Sequence, residues 1–180
     1  EISMYYDPMI AKLCTWAPTR EAAIEAMRVA LDSFEVEGIG HNLPFLSAVM
    51  DHPIFIAGEM TTAFIEEQYP EGFQGVTLPD VDLRRIAAAT AAMNRVSEIR
   101  RARVSGRMDN HERKVGKEWN VALQDTALDM VIDADHDGSN VTFDDGTCMR
   151  VTGDWTPGDQ LATMMVDGAP LVLKVGKISG

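Results

Sequence analysis

The stretch DVDLRRIAAATAAMNRVSEIRRAR, Asp80 to Arg103, decides the fold. Asp80 or Asp82 starts a helix of about 24 residues, or about 36 Å at the standard rise. In its middle, Ile86, Ala87, Ala88, Ala89, Ala91, Ala92 and Met93 place apolar groups around the whole circumference. That pattern marks a helix buried on several sides, and the alanines imply that its surroundings approach the backbone closely. After a polar interval, Ser105 to Lys117, the hydrophobic period changes to two. Trp119–Leu123, Leu128–Ile132, Val141–Phe143, Cys148–Thr152, Leu161–Val166 and Leu171–Val175 read as six short strands. Asp137-Gly138, Asp145-Gly146 and Asp167-Gly168 separate neighbours, and Asp-Gly is a strong hairpin signal. An up-and-down antiparallel sheet of six strands tends to curl, and an all-round apolar helix needs a wall. The expected solution is a β-barrel wrapped on the helix.

Upstream the period is mixed. Met9 to Trp16 alternates like a strand, with Lys12 between Ala11 and Leu13. Thr19 is placed to cap a helix with Glu21 in its first turn and Ile24, Met27, Leu31 and Phe34 on one face. Val36 and Ile39 around Gly38 suggest a short strand and turn. Asn42 then caps a second helix, where Pro44 sits in the tolerated first turn. Thr61 or Thr62 starts a third, short helix that stops before Pro70. Pro70, Gly72, Gly75 and Pro79 oppose both helix and strand, so residues 70–80 read as a linker and domain boundary.

The 180 residues, 46% apolar and 24% charged, suit one or two globular domains. No run of eighteen apolar residues and no signal-peptide layout is present, which argues against membrane insertion and secretion. A first residue of Glu rather than Met, and an end at Gly180 among strands, suggest an excised fragment. Cys14 and Cys148 stand alone in alternating runs, where a thiol is expected to behave as a small buried hydrophobe. Net charge is −10 over residues 1–80, +5 over 81–119 and −7 over 120–180. The acidic blocks repel phosphate, so carboxylates are likelier neighbours of the basic band than nucleic acid.

Few motifs carry chemistry. Asp133, Asp135, Asp137, Gly138 and Asp144 fit the start of a calcium loop, but Asn140 stands where an apolar residue is wanted and Asp144 where a bidentate Glu is wanted. The flanks read as strands, so a solvated acidic hairpin is the simpler reading. His41, His52, His111 and His136 lie apart, without zinc spacing. Ser97 and Ser105 lack the Gly-x-Ser-x-Gly elbow of a hydrolase, and no glycine-rich phosphate loop occurs.

Tyr5-Tyr6-Asp7-Pro8-Met9-Ile10-Ala11-Lys12-Leu13 resembles the turn and strand near the C-terminal end of biotin carboxylase domains, which are of the ATP-grasp type. Arg20, Ala23 and Met27 follow at the family's helix spacing. Gly38-Ile39-Gly40-His41-Asn42 resembles its next strand-to-helix turn, and Phe55 to Ile65 its closing helix. Tyr69-Pro70-Glu71-Gly72-Phe73 is similar to the exit from this domain in biotin-dependent acyl-CoA carboxylase α subunits of the propionyl-CoA type. The Ala-rich helix and Trp119 with its strand resemble those subunits' linking (BT) domain, in which a long helix is encircled by a barrel.

The resemblance implies an α+β chain in two parts. Residues 1–73 would close a biotin carboxylase domain. Residues 74–180 would form a BT domain, with its helix at about 81–104, strands from 119, and six strands of about eight. It implies a parent enzyme that uses ATP, Mg and biotin to carboxylate an acyl-CoA, in the bacterial cytoplasm or mitochondrial matrix, with a carboxyltransferase β subunit as hetero-oligomeric partner. Catalytic, cofactor-binding and metal residues are expected outside this segment; Lys12, Lys114, Lys117, Lys174 and Lys177 lack the methionine flanks of a biotinyl lysine. Asp7 and Lys12 would at most shape a wall behind the active site. The interval Ser105–Lys117 is longer than a helix-to-strand connection needs, and Arg107, Met108, His111, Arg113 and Lys114 are its expected partner contacts. A calcium-binding module using Asp133–Asp144 is the alternative.

Overall fold

The computed structural model describes residues 9–36, 38–103, 113–123 and 126–176. The chain divides into two compact units, Glu1–Thr77 and Leu78–Gly180.

The first unit holds four described helices, α1 (Arg20–Ser33), α2 (Leu43–Asp51), α3 (Pro53–Ala57) and α4 (Phe64–Gln68). Thr19 caps α1 by accepting the Ala22 N–H at 3.3 Å, and Ile24 and Leu31 on the expected face are buried. Asn42 occupies the N-cap of α2 without a side-chain cap bond. His52 Nδ1 instead caps α3, accepting the Ile54 N–H at 3.3 Å. Arg28 ties α1 to the end of α2 through Asp51 at 2.6 Å, and Arg20 reaches the Phe55 carbonyl at 2.5 Å. Phe45, Phe64, Tyr69 and Phe73 form an aromatic cluster with His52, ring centroids 5.0 to 6.2 Å apart. Tyr69 and Phe73 are thereby packed, while Pro70, Glu71 and Gly72 between them and the linker residues Gln74 to Thr77 are exposed.

Several upstream expectations fail for physical reasons. Met9–Trp16 is not a strand, nor are the described residues Val36, Gly38 and Ile39; alternation forms a strand only where a neighbour accepts its backbone hydrogen bonds, and no described segment pairs with either. Phe55–Ile65 is not one helix. Gly58, at φ +77°, ends α3 in the left-handed conformation that glycine tolerates, and α4 begins only at Phe64, with Ala63 at the cap rather than Thr61 or Thr62. Both cysteines are exposed, not buried, because Cys148 starts its strand on the outward-facing set of positions.

The second unit is the helix and half-barrel. Helix α5 (Asp80–Ala102) is 23 residues long, and its N-cap position is Pro79, so Asp80 and Asp82 act in the first turn rather than as caps. Six antiparallel strands follow in sequence order: β1 (Glu118–Leu123), β2 (Thr126–Ala134), β3 (Ser139–Phe143), β4 (Cys148–Gly153), β5 (Leu161–Val166) and β6 (Ala169–Lys174). The Asp-Gly pairs fall at the turns between β2 and β3, β3 and β4, and β5 and β6. Asp167 and Gly168 both have positive φ, +52° and +77°, as a two-residue hairpin of type I′ requires.

Ala87, Ala88, Ala89, Ala91, Ala92 and Met93 are buried, against β1 to β5. At about 100° per residue they cover about two thirds of the circumference. Thr90 and Asn94 are exposed on the remaining side, so the all-round burial expected from sequence is incomplete by one side. Inward residues Met130, Ile132, Val141, Phe143, Met149, Val151, Ala162, Met164 and Val166 complete the core. Arg84 lies 5.2 Å over the Phe143 ring and pairs with Asp145 at 2.6 Å. Arg85 donates to the Pro170 carbonyl at 3.1 Å, and Arg100 to the Pro157 carbonyl at 3.1 Å. The helix is thus tied to β6 near its start and to the β4–β5 connection near its end.

Candidate functional site

Of the five expected contact residues, Arg107, Met108 and His111 lie outside the described residues, as does Ser105. Arg113 and Lys114 are exposed. Arg113 pairs with Glu98 of α5, whose carboxylate also receives Arg101, one turn further on, at 2.7 Å. The Arg101 hydrogen bond, with the charge of Arg113 added, lowers the Glu98 pKa from its ordinary value. Glu98 was not legible as a site residue. Its only sequence signal was the i,i+3 relation to Arg101; the tie to Arg113 spans 15 residues. Its effect is to tie Arg113 to the C-terminal part of α5.

The acidic hairpin at the same end of the sheet is internally satisfied. Arg150 of β4 grips Asp135 with two nitrogens, at 2.7 and 2.8 Å. Asp135 Oδ1 also accepts the backbone N–H groups of Asp137 and Gly138. The Arg150 hydrogen bonds, then that of the Asp137 N–H, hold its carboxyl well below the usual carboxylate range. Asp133 pairs with Lys117 at 2.5 Å, and the exposed His136 and Asp137 stand 3.1 Å apart. A calcium loop needs these oxygens converging on one point. Here they serve a turn, and no metal-holding group of three or more acidic, His or Cys residues occurs among the described residues.

Other candidates are dispersed. His52 is a helix cap packed edge-to-face with Phe64 at 5.0 Å, and His41 lines an apolar groove with Met9, Ile10, Leu31 and Phe34. Lys12 and Lys174 are exposed and Ser97 is half-buried on α5; Asp7 and Lys177 lie outside the described residues. No described helix is long and apolar enough to cross a membrane.

Among the described residues of the second unit, two side chains carry buried polar atoms without a hydrogen-bond partner. The Trp119 indole nitrogen, on edge strand β1, is one; the Arg95 Nε on α5 is the other. Trp119 was expected from sequence as the start of the first strand, whereas Arg95 was not singled out.

Residues 1–67 match the biotin carboxylase C-terminal domain family, and residues 86–180 the propionyl-coenzyme A carboxylase BT domain family. The chain is 81% identical over all 180 residues to the propionyl-CoA carboxylase alpha chain of Ruegeria pomeroyi, covering 26% of that protein. It is 32% identical over 175 residues to the mitochondrial propionyl-CoA carboxylase alpha chain of Mus musculus, covering 93% of this chain and 24% of that one. Over 65 residues, 36% of this chain and 9% of the relative, it is 49% identical to the mitochondrial methylcrotonoyl-CoA carboxylase subunit alpha of Dictyostelium discoideum. The chain therefore spans about a quarter of the length of the propionyl-CoA carboxylase relatives. A long Ala-centred helix in a six-stranded half-barrel, preceded by a small helical unit, agrees with these matches, and the chain belongs to the propionyl-coenzyme A carboxylase BT domain family, with biotin carboxylase C-terminal sequence ahead of it.

Proposed function

We propose that this chain is the joining segment of a biotin-dependent acyl-CoA carboxylase α subunit of the propionyl-CoA type, and that it assembles the enzyme rather than performing its chemistry. Residues 1–73 close the biotin carboxylase domain, and residues 74–180 form the BT domain that meets the carboxyltransferase β subunit. Separation into compact units at Thr77 and Leu78 supports that division. The parent enzyme couples ATP cleavage and bicarbonate to carboxylation of an acyl-CoA, using Mg and a biotin carried outside this segment. The bacterial relative's higher identity favours bacterial cytoplasm over the mitochondrial matrix. The calcium alternative has nothing in its support, since Asp135 is engaged by Arg150.

The observation that carries the assembly reading is the Glu98–Arg113 pair. It holds Arg113 on the end of α5, and the proposed contacts Arg107, Met108, His111, Arg113 and Lys114 fall within eight consecutive positions of the sequence. Long loops with anchored ends are commonly functional, and cationic donors beside a methionine suit an acidic, adaptable partner surface. Replacing Met108, His111 and Arg113 with alanine in the full-length α subunit should weaken β-subunit binding while biotin carboxylation by the α subunit continues. Unchanged affinity would place the interface elsewhere.

A further inference from the structure

The chain that joins the two compact units is held at both ends and slack only in its middle. Tyr69 ends α4, its N–H donating to the Ile65 carbonyl at 2.9 Å, and the Gly72 N–H returns to the Tyr69 carbonyl at 2.9 Å. Gly72 has φ +76°, a left-handed conformation that glycine adopts without strain. That turn reverses the chain, and the Phe73 ring reaches Phe45 of α2 at 5.6 Å and Tyr69 at 6.0 Å. Tyr69 itself packs on Phe45, His52 and Phe64. Aromatic pairs of this kind have defined geometry, so the exit from the first unit is fixed as far as Phe73.

Fixation resumes at Pro79. Its carbonyl accepts the Asp82 and Leu83 N–H groups at 2.9 and 3.0 Å, and Arg84 and Arg85 fasten the start of α5 to the half-barrel. In between, the Gln74 side chain turns back to the Glu71 carbonyl at 3.1 Å. No backbone hydrogen bond among the described residues involves Gly75, Val76, Thr77 or Leu78. The first three of these are exposed, and nothing lies within 4 Å of where a Cβ on Gly75 would stand. Slack is therefore confined to these four residues, which span at most about 14 Å when fully extended.

We propose that Gly75–Leu78 is a short tether whose length, set by the aromatic clamp before it and Pro79 after it, governs how fast the carried biotin is carboxylated. The inference rests on the assembly reading, in which the BT domain is docked on the β subunit and the biotin is carried outside this segment. The tether then sets how concentrated the biotin carboxylase part is around that biotin. Effective concentration across a flexible linker falls roughly as the inverse three-halves power of its length, so each residue released from the clamp dilutes one reactant against the other.

The test uses the full-length α subunit assembled with β, either with roughly eight Gly and Ser residues inserted between Val76 and Thr77 as flexible chain or with Phe73→Ala. Tripling the slack by insertion should lower propionyl-CoA carboxylation about fivefold at unchanged β-subunit affinity. Carboxylation of free biotin by the same α subunit, which no tether delivers, should stay at the parent rate. Phe73→Ala frees the exit back to Tyr69 and should lower propionyl-CoA carboxylation about threefold by the same scaling. If Phe73→Ala also lowers the thermal midpoint, the insertion decides alone. Full propionyl-CoA carboxylation by the insertion variant would overturn the tether, and so would an equal fall in free-biotin carboxylation or a loss of β binding confined to that variant. A parent α subunit that does not bind β would overturn the assembly reading as well.

Discussion

Arg150 within β4 and Asp135 in the turn after β2, 15 residues apart, are joined through two hydrogen bonds of 2.7 and 2.8 Å. The pair fixes the β2–β3 turn to β4. Because the same carboxylate orders the turn through the N–H groups of Asp137 and Gly138, its charge state is linked to folding. The carboxyl titrates lower when folded than when unfolded, so its stabilising contribution is present above the unfolded value of about 4 and is lost as pH falls toward the folded value. Asp145, lowered chiefly by the Thr147 N–H and also by Arg84, acts in the same direction. Thermal midpoints measured from pH 7 down to 2.5 should therefore fall steadily below about pH 4. In Asp135→Asn the midpoint should be lower near neutrality and should decline less steeply in acid. Parallel curves for the two proteins would contradict the linkage.

Asp135 is occupied by protein donors, so calcium has no ready ligand set in this hairpin. Isothermal titration of the chain with calcium should give no saturable heat. A saturable isotherm abolished by Asp135→Asn would restore the metal reading.

Ala88 and Ala91 are 0% and 1% exposed, with the sheet wrapped closely on the helix. Enlarging Ala88 to Leu should lower stability by about 1–3 kcal/mol through overpacking, despite leucine's good helix propensity. The same exchange at exposed Thr90 should be nearly neutral. Denaturant unfolding of the two variants checks the difference in direct contact with the wall.

A methyl group added at Gly138 would lie 2.4 Å from the Val151 carbonyl oxygen and 2.8 Å from Thr152 Cγ2. One of those atoms is backbone and cannot swing away. Gly138→Ala should thus destabilise the second unit by about 2 kcal/mol, seen as a lower urea midpoint at unchanged slope. At Gly176, where nothing lies within 4 Å, the same exchange should have little effect.

The sheet half was legible because its signals are local. Alternation, Asp-Gly turns and the Ala-rich helix each act within a few residues, and all six strands appear where the period changes. Met9–Trp16 misled because alternation records which side chains could share a face, whereas a strand also needs a backbone neighbour. Gly58 was missed as a helix stop because nothing in Phe55–Ile65 periodicity marks a left-handed residue. The loop was expected as the interface from its length and charge, and Arg107, Met108 and His111 lie outside the described residues. The tie of Glu98 to Arg113 was not legible, since it acts across 15 residues.

Amide hydrogen exchange of the full-length α subunit, with and without its carboxyltransferase partner, tests the assembly role most directly. Binding should slow exchange in residues 95–117, from the end of α5 to the residue before β1, while the β5–β6 hairpin at 161–174 exchanges as before. Unchanged exchange across 95–117 in a complex that demonstrably forms would contradict it.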